Sequence, residues 1–447
     1  MDFLIAMGCS FLFFMLVAAI FQRLGISLKG TYVHPISLSV LIQFCLFSLP
    51  GVVMISFLDY QSPRYEGITL SNRLNIGLWY FYSVLVYFSV FILLASVFRL
   101  KNYNRYVSRV VNYDNYIVYS TIILSLSVIF LCIKLFFSRK APIFYLLEGD
   151  SVGAYTSRVD IQTNPQYYYI PYISNLISLL LVFQFYFIFY FYTFTTKKTY
   201  KLIFFVITSF LIAVIECLYE TQKAPVIFLM LGTLFIIYLK KKRIMKTMFL
   251  IGSIVFLAIL LQATLSGTEL NVAINSMADR FLLGQNQGFY HIINKITPNE
   301  KYWFTNFYFV ERLGITPARA DVDIIPYLNY VSSLDIVNVN SYYLGEAWSM
   351  FGYYGLILSP ILVGGAMFIF VKIIDLLIGY NPYFFIPYAI LIIPELRINQ
   401  SFTYFLYGKD FVFRTILVLI IFFLVTALGS LFIKKKKIGI IYENRKQ

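Results

Sequence analysis

Three ionisable residues in the second half of this 447-residue chain, Glu346, His291 and Arg280, have the types and neighbours that group transfer to a sugar needs. A carboxylate at 346 can accept a proton from a hydroxyl nucleophile. Its surroundings, Asn338, Asn340, Ser341, Tyr342, Tyr343 and Trp348, suit hydrogen bonding to sugars and stacking on them. The same acid, at the start of an apolar run, is equally well served by the dipole of the helix it would open. His291 titrates near neutrality and has the basicity of a general base, yet its neighbours Phe289, Tyr290 and Ile292 also suit a packed ring. Arg280 and Arg158 stand in two separate polar segments, and a guanidinium matches a diphosphate through paired hydrogen bonds. Each alone is also an ordinary solvated arginine. Glu216, Glu220 and Lys223 close one apolar run and open the next, either as a local ion pair or with Lys223 as a phosphate contact. Trp303 adds a further ring to the polar segment that holds His291. The remaining charges there, Asp279, Glu311, Arg312, Asp321 and Asp323, give weak support to a divalent-metal site.

The elements that must position these residues are apolar. Hydrophobic residues make up 60% of the chain and charged ones 13%, about half the share of a soluble protein, which indicates a polytopic membrane protein of all-α class. Stretches long enough to cross roughly 30 Å of hydrocarbon fall at 3–21, 34–58, 74–98, 116–137, 170–194, 202–221, 224–239, 247–265, 346–371, 380–395 and 411–433, eleven in all. The stretch 224–239 is short, and 380–395 carries Pro382, Pro387 and Pro394, so either also fits a re-entrant segment. Four parts follow: an N-terminal bundle over 1–265, a polar segment over 266–345, a C-terminal bundle over 346–433 and a basic tail over 434–447. The run Phe3–Ile20 has no basic leader before it and reads as a retained first span.

Charge orients the spans. Alternate hinges carry 21 lysines and arginines in short segments against Asp114, Asp375 and Glu443, whereas the other side holds nearly all the acids in longer segments. By the positive-inside rule the N-terminus is outside, the C-terminus inside, and 266–345 outside. The net charge of +15 is thereby explained as topology, with no call for nucleic acid. Cys9, Cys45, Cys132 and Cys217 all lie in apolar runs without CxxC spacing, so neither a disulfide framework nor a thiolate metal site is indicated. The inner hinges are short and lack a nucleotide-binding glycine motif.

Within the polar segment, apolar spacing predicts a helix over 270–283 ended by Gly284 and a second over 285–297 stopped before Pro298. Residues 301–313 are aromatic and amphipathic, and 321–340 fits strand or irregular structure. Short helices lying on the outer surface are expected, because a connection this long without structure is rare. Gly345, Gly352, Gly355, Gly364 and Gly365 permit close helix contact.

The order of these features resembles the bacterial oligosaccharide repeat-unit polymerases, the O-antigen polymerase (Wzy-like) family. The likeness rests on about a dozen spans, a large outer loop in the C-terminal half, and the step Gly345-Glu346 followed by Phe351-Gly352-Tyr353-Tyr354-Gly355. The turn Gln222-Lys223-Ala224-Pro225 and the arginines Arg158 and Arg280, in two separate outer loops, are similar to features of that family. The resemblance implies a fold akin to the GT-C-type glycosyltransferases and a place in the bacterial inner membrane. It further implies metal-independent glycosyl transfer without a cofactor, polymerising repeat units carried on undecaprenyl diphosphate for lipopolysaccharide O-antigen or a related surface polysaccharide. Arg280, with Arg158 or Lys223, would stabilise the diphosphate; Glu346 or His291 would deprotonate the acceptor hydroxyl; Tyr342, Tyr343, Trp348, Trp303 and Ser341 would contact sugars. A chain-length regulator and a flippase of the same pathway are the implied partners. Two other readings stand beside it: a ligase moving glycan from undecaprenyl diphosphate to another acceptor, and a flippase or transporter of lipid-linked oligosaccharide.

Overall fold

The computed structural model describes residues 2–24, 48–100, 113–137, 141–163, 173–221, 223–241, 250, 252–253, 269–305, 307, 310, 313–328, 339–392, 396 and 401–444. The described residues form helices and turns, with no strand among them. In chain order the longer helices are α1 (Asp2–Arg23), α2 (Leu70–Phe98), α3 (Tyr113–Phe137), α4 (Ser151–Thr163), α5 (Ile173–Phe194), α6 (Tyr200–Leu218) and α7 (Lys223–Lys241). They continue with α8 (Leu270–Ala278), α9 (Gln287–Lys295), α10 (Tyr342–Phe351), α11 (Tyr353–Tyr380), α12 (Pro382–Ile392), α13 (Phe402–Tyr407) and α14 (Lys409–Asn444).

Among the described residues seven helices are long and apolar enough to cross a membrane: Phe3–Arg23, Leu70–Phe98, Tyr113–Phe136, Ser174–Phe194, Tyr200–Leu218, Tyr353–Tyr380 and Lys409–Phe432. The chain is a helical, multi-pass membrane protein. Of the other four stretches read from the sequence, 224–239 lies in α7 and the described part of 380–395 forms the eleven-residue apolar α12, both outside those seven. Most of 34–58 and 247–265 lies outside the described residues. The stretch expected over 346–371 is divided. Gly352 takes a φ of +60°, its N–H bonds to the Trp348 carbonyl, and the spanning helix starts at Tyr353. Glu346 therefore sits inside a ten-residue helix of its own, beyond the first turn and outside the span.

The chain divides into two compact units. Unit 1 comprises 1–103, 255–376 and 393–410; unit 2 comprises 104–254, 377–392 and 411–447. In unit 1, α10 is central, packed against α9, α13 and the turn Glu300–Tyr302. Ser401 caps α13 by accepting from the Tyr404 N–H, and Gly408 ends it in the left-handed region. Backbone approaches set the packing. A Cβ on Gly51 would stand 1.9 Å from the Leu282 carbonyl oxygen, on Gly288 2.2 Å from that of Asn340, and on Gly355 2.0 Å from that of Ala347. The predicted 270–283 helix is α8 followed by a π-helical turn, Asp279–Leu283, and residues 285–297 give α9. A second π-turn, Val53–Phe57, follows the short helix Leu49–Val52, which packs on the first π-turn. Within 321–340 the described backbone makes a helical turn, Ala320–Asp323, and a 3₁₀ turn, Ile325–Tyr327.

In unit 2, α5 is central and packs against α3, α6, α7 and α12. Its contacts are aromatic: Phe183 and Phe187 lie 4.9 and 5.4 Å from the Phe384 ring. The buried amide of Gln184 donates to the Ser209 carbonyl of α6 at 2.8 Å.

Candidate functional site

Glu346 lies on α10 and is 5% exposed. It is held by the start of α13. The Thr403 N–H donates to Oε2 at 2.7 Å, the Thr403 hydroxyl reaches both oxygens at 3.1 and 3.2 Å, and the Phe402 N–H adds a further bond. A helix start offers free N–H groups, so a buried carboxylate is accommodated there by hydrogen bonds. Burial is nevertheless the larger effect, and it pushes the carboxyl up to about 7, with Asp321 adding to the rise and the Thr403 bonds opposing it. Both oxygens are already occupied. The group fixes α13 against α10, a link between residues 57 apart that no local spacing announces.

His291 lies on α9 and is 2% exposed. Its Nε2 is 2.8 Å from the Arg64 carbonyl, an acceptor, so Nε2 carries the proton and Nδ1 is left as an acceptor. That Nδ1 is buried with no partner among the described residues, and burial holds the imidazole below its usual range, hence neutral at pH 7. One turn earlier, Gln287 takes a hydrogen bond from Arg64 at Oε1 (3.1 Å), and its buried Nε2–H₂ donor has no partner among the described residues. The Arg64 guanidinium also pairs with Asp279 at 2.6 Å. Arg64 thus ties the π-turn to α9 and fixes the polarity of two orphaned groups at positions i and i+4 of one helix face. Nothing in the local sequence marks Arg64 for this role, since its partners lie more than 200 residues away. Tyr65 and Tyr290 complete the wall. The Tyr65 hydroxyl donates to the Leu283 carbonyl, and Tyr290 shares a 2.5 Å hydrogen bond with Ser56.

The aromatic candidates divide by exposure. Tyr342 and Tyr343 are fully buried, their ring centroids 4.7 Å apart, with Tyr342 at a φ of +50°, a strained value for a residue with a Cβ. Ser341 is buried beside them. Trp348 donates its indole N–H to the Ile296 carbonyl, and Trp303 donates to Met350 while remaining 41% exposed. Arg280 stands on the π-turn, exposed and without a hydrogen bond or ion pair among the described residues. Arg280, His291, Trp303, Ser341, Tyr342, Tyr343, Glu346 and Trp348 all belong to unit 1. Arg158, half-buried on α4, and Lys223, the first residue of α7, belong to unit 2.

Asp321-Val322-Asp323 is an Asp-x-Asp step, and both carboxylates are engaged. Asp321 takes two bonds from Arg319, at 2.7 and 3.2 Å, and Asp323 takes Lys301 and the Tyr302 hydroxyl. Among the described residues no three His, Cys, Asp or Glu side chains gather as metal ligands. Glu311, Arg312 and Asn338 lie outside the described residues.

No family model, curated protein or solved structure matches this chain. The chemistry of the site therefore rests on its own geometry: a neutral imidazole whose acceptor nitrogen is unpartnered among the described residues, an amide donor one turn away, and an exposed guanidinium on the adjoining π-turn.

In unit 2 a lysine and a glutamate pair between two of the apolar helices. Lys134 of α3 lies 2.7 Å from both Glu216 oxygens, 3.0 Å from the Ser178 hydroxyl and 4.0 Å from the Tyr219 ring centroid. Glu216 is thus paired with α3 rather than locally. Lys134 is a single lysine inside an apolar run, a signal the sequence carried openly.

Proposed function

We propose that the chain is a glycosyltransferase of the inner membrane that polymerises oligosaccharide repeat units carried on undecaprenyl diphosphate, with the segment 266–345 on the outer side and eleven crossings in all. The hydroxyl of the incoming unit's distal sugar attacks the anomeric carbon of the donor glycan. A carbon–oxygen bond forms as the bond to the diphosphate breaks, and undecaprenyl diphosphate leaves. The proton of the attacking hydroxyl passes to Nδ1 of His291, and Arg280 meets the charge that develops on the diphosphate. Glu346 is a positioning residue in this scheme. Arg158 and Lys223 carry no step in it.

The observation that supports the reading best is the orphaned pair on α9. A sugar hydroxyl accepts from the Gln287 amide and donates to the His291 Nδ1, so it answers both groups at once. Purified protein given a lipid-linked repeat unit is expected to produce a ladder of products. His291→Asn is expected to slow turnover by about 10²–10⁴-fold, the usual contribution of a general base. An unchanged ladder and rate in that variant sinks the assignment. Transfer of preformed glycan to a different acceptor, without a ladder, makes the protein a ligase instead.

A transporter is the second reading, and the Lys134–Glu216 pair favours it, since charge inside a span often marks a translocation path. Movement of intact glycolipid across sealed vesicles, with no new glycosidic bond, would decide for it.

A further inference from the structure

The polar segment of unit 1 exposes large apolar side chains beside the start of a spanning helix. Trp303 is 41%, Phe304 45% and Phe351 40% exposed, and the nearby turn shows Leu313 and Ile315 to the outside. These are not loose ends. The Trp303 and Phe351 rings are stacked with centroids 6.0 Å apart, the Trp303 indole N–H donates to the Met350 carbonyl at 2.7 Å, and the Tyr407 hydroxyl donates to the Trp303 carbonyl. The chain between is tied back as well: the Ala318 N–H bonds to the Lys301 carbonyl, and the Thr305 hydroxyl donates to the Ala318 carbonyl. A rigid, outward-facing cluster of rings needs something to cover it.

Its place identifies the cover. Two residues after Phe351 the spanning helix α11 begins, and Ile357, Leu358, Ile361 and Leu362 of that helix are exposed in the way lipid-facing residues are. Phe351 thus joins the cluster to the first turns of that helix. Tryptophan favours the membrane–water interface. Basic side chains flank the cluster: Lys301 and Arg319 are both exposed, and although each has an acid partner, in Asp323 and Asp321, each keeps donors on its outer side. We propose that Trp303, Phe304, Leu313 and Ile315 lie in the lipid–water interface, with the stacked Trp303 and Phe351 rings as a fixed wedge among the phospholipid chains.

The hydrogen bonding of Trp303 adds a depth. An interfacial tryptophan ordinarily keeps its N–H on the wet side because nothing else accepts it. The Met350 carbonyl already accepts this one, so the ring has no need of water and sits in the upper part of the acyl chains. The inference does not depend on the reaction assigned to the protein.

The test is fluorescence of the full chain in phosphatidylcholine vesicles, with the Trp303 contribution taken as the difference between wild type and Trp303→Phe. Lipids brominated near the top of the acyl chains are expected to reduce that contribution by about twofold or more, while aqueous iodide leaves it nearly unchanged. Strong quenching by iodide without quenching by brominated lipid overturns the proposal. Protection from both quenchers also overturns it, since the cover would then be protein, such as a second copy of the chain. If Trp303→Phe does not fold, Phe304→Trp gives an added signal that must show the same quenching preference.

Discussion

In unit 2 the central helix α5 is packed by phenylalanine and tyrosine rings, and the carboxylate beside it, Glu216, is neutralised by a lysine reaching in from another span. In unit 1 the central helix α10 carries its own buried carboxylate, Glu346, and the groups that receive it are the free N–H donors at the start of α13. The two solutions differ in what happens when a proton arrives or a partner is lost. An ion pair fails abruptly when one member is removed, because the survivor is left charged and buried. A carboxylate on backbone donors can take up a proton and stay in place, so its contribution changes gradually with pH.

The first way to break this contrast is Lys134→Met, which should cost about 3–5 kcal/mol of stability by stranding Glu216, read as a fall in the unfolding midpoint in detergent. The double variant Lys134→Met with Glu216→Leu should recover most of that loss. If the single variant is as stable as wild type, the pair is not the buried interaction described.

The second concerns pH. The Glu346 carboxyl is raised to about 7 in the folded chain and returns to the ordinary carboxylate range on unfolding. Above pH 7 it is ionised in both states, and the cost of burying the charge is felt in full. Between that pH and the ordinary range the folded state holds a proton that the unfolded state does not, so stability should rise as pH falls from 8 to about 5. The gain is at most about 3 kcal/mol. Glu346→Gln should lack that slope, measured as unfolding midpoint against pH; the same slope in both proteins would assign it elsewhere.

Smaller effects sharpen the picture of α10. Gly355→Ala should cost about 1–3 kcal/mol, because the new methyl meets the Ala347 backbone, whereas Gly365→Ala meets nothing within 4 Å and should cost far less. Thermal unfolding of the two variants compares them directly. Ser401→Ala removes the cap of the helix that receives Glu346 and should cost about 1 kcal/mol, together with faster amide exchange at Tyr404.

Much of the helical architecture was legible because hydropathy is a property of contiguous residues: seven of the eleven apolar stretches are spanning helices, and Gly284 and Pro298 bound α8 with its π-turn and α9 as expected. The division at Gly352 was not legible, since an apolar run gives no sign of where one residue turns to positive φ. The candidate site was legible in its members and not in its connections. His291 stood out as one of two histidines, but the residue that sets its tautomer, Arg64, is 227 positions away and looked like any loop arginine. Glu346 suggested a base or a dipole partner of its own helix; its actual partner, Thr403, carried no signal at all.

The glycines at 51 and 288 have a consequence for variation of the chain. Each faces a carbonyl oxygen from a distant stretch, Leu282 for the first and Asn340 for the second, at a separation that leaves no room for even a methyl group. In a library holding every single replacement, both positions should be depleted through lost stability, as Gly355 should be, although neither does chemistry. Selection data alone would mistake them for reacting residues, whereas what they protect is backbone packing, of the short helix Leu49–Val52 on the π-turn Asp279–Leu283 for the first and of α9 on the residues just before α10 for the second.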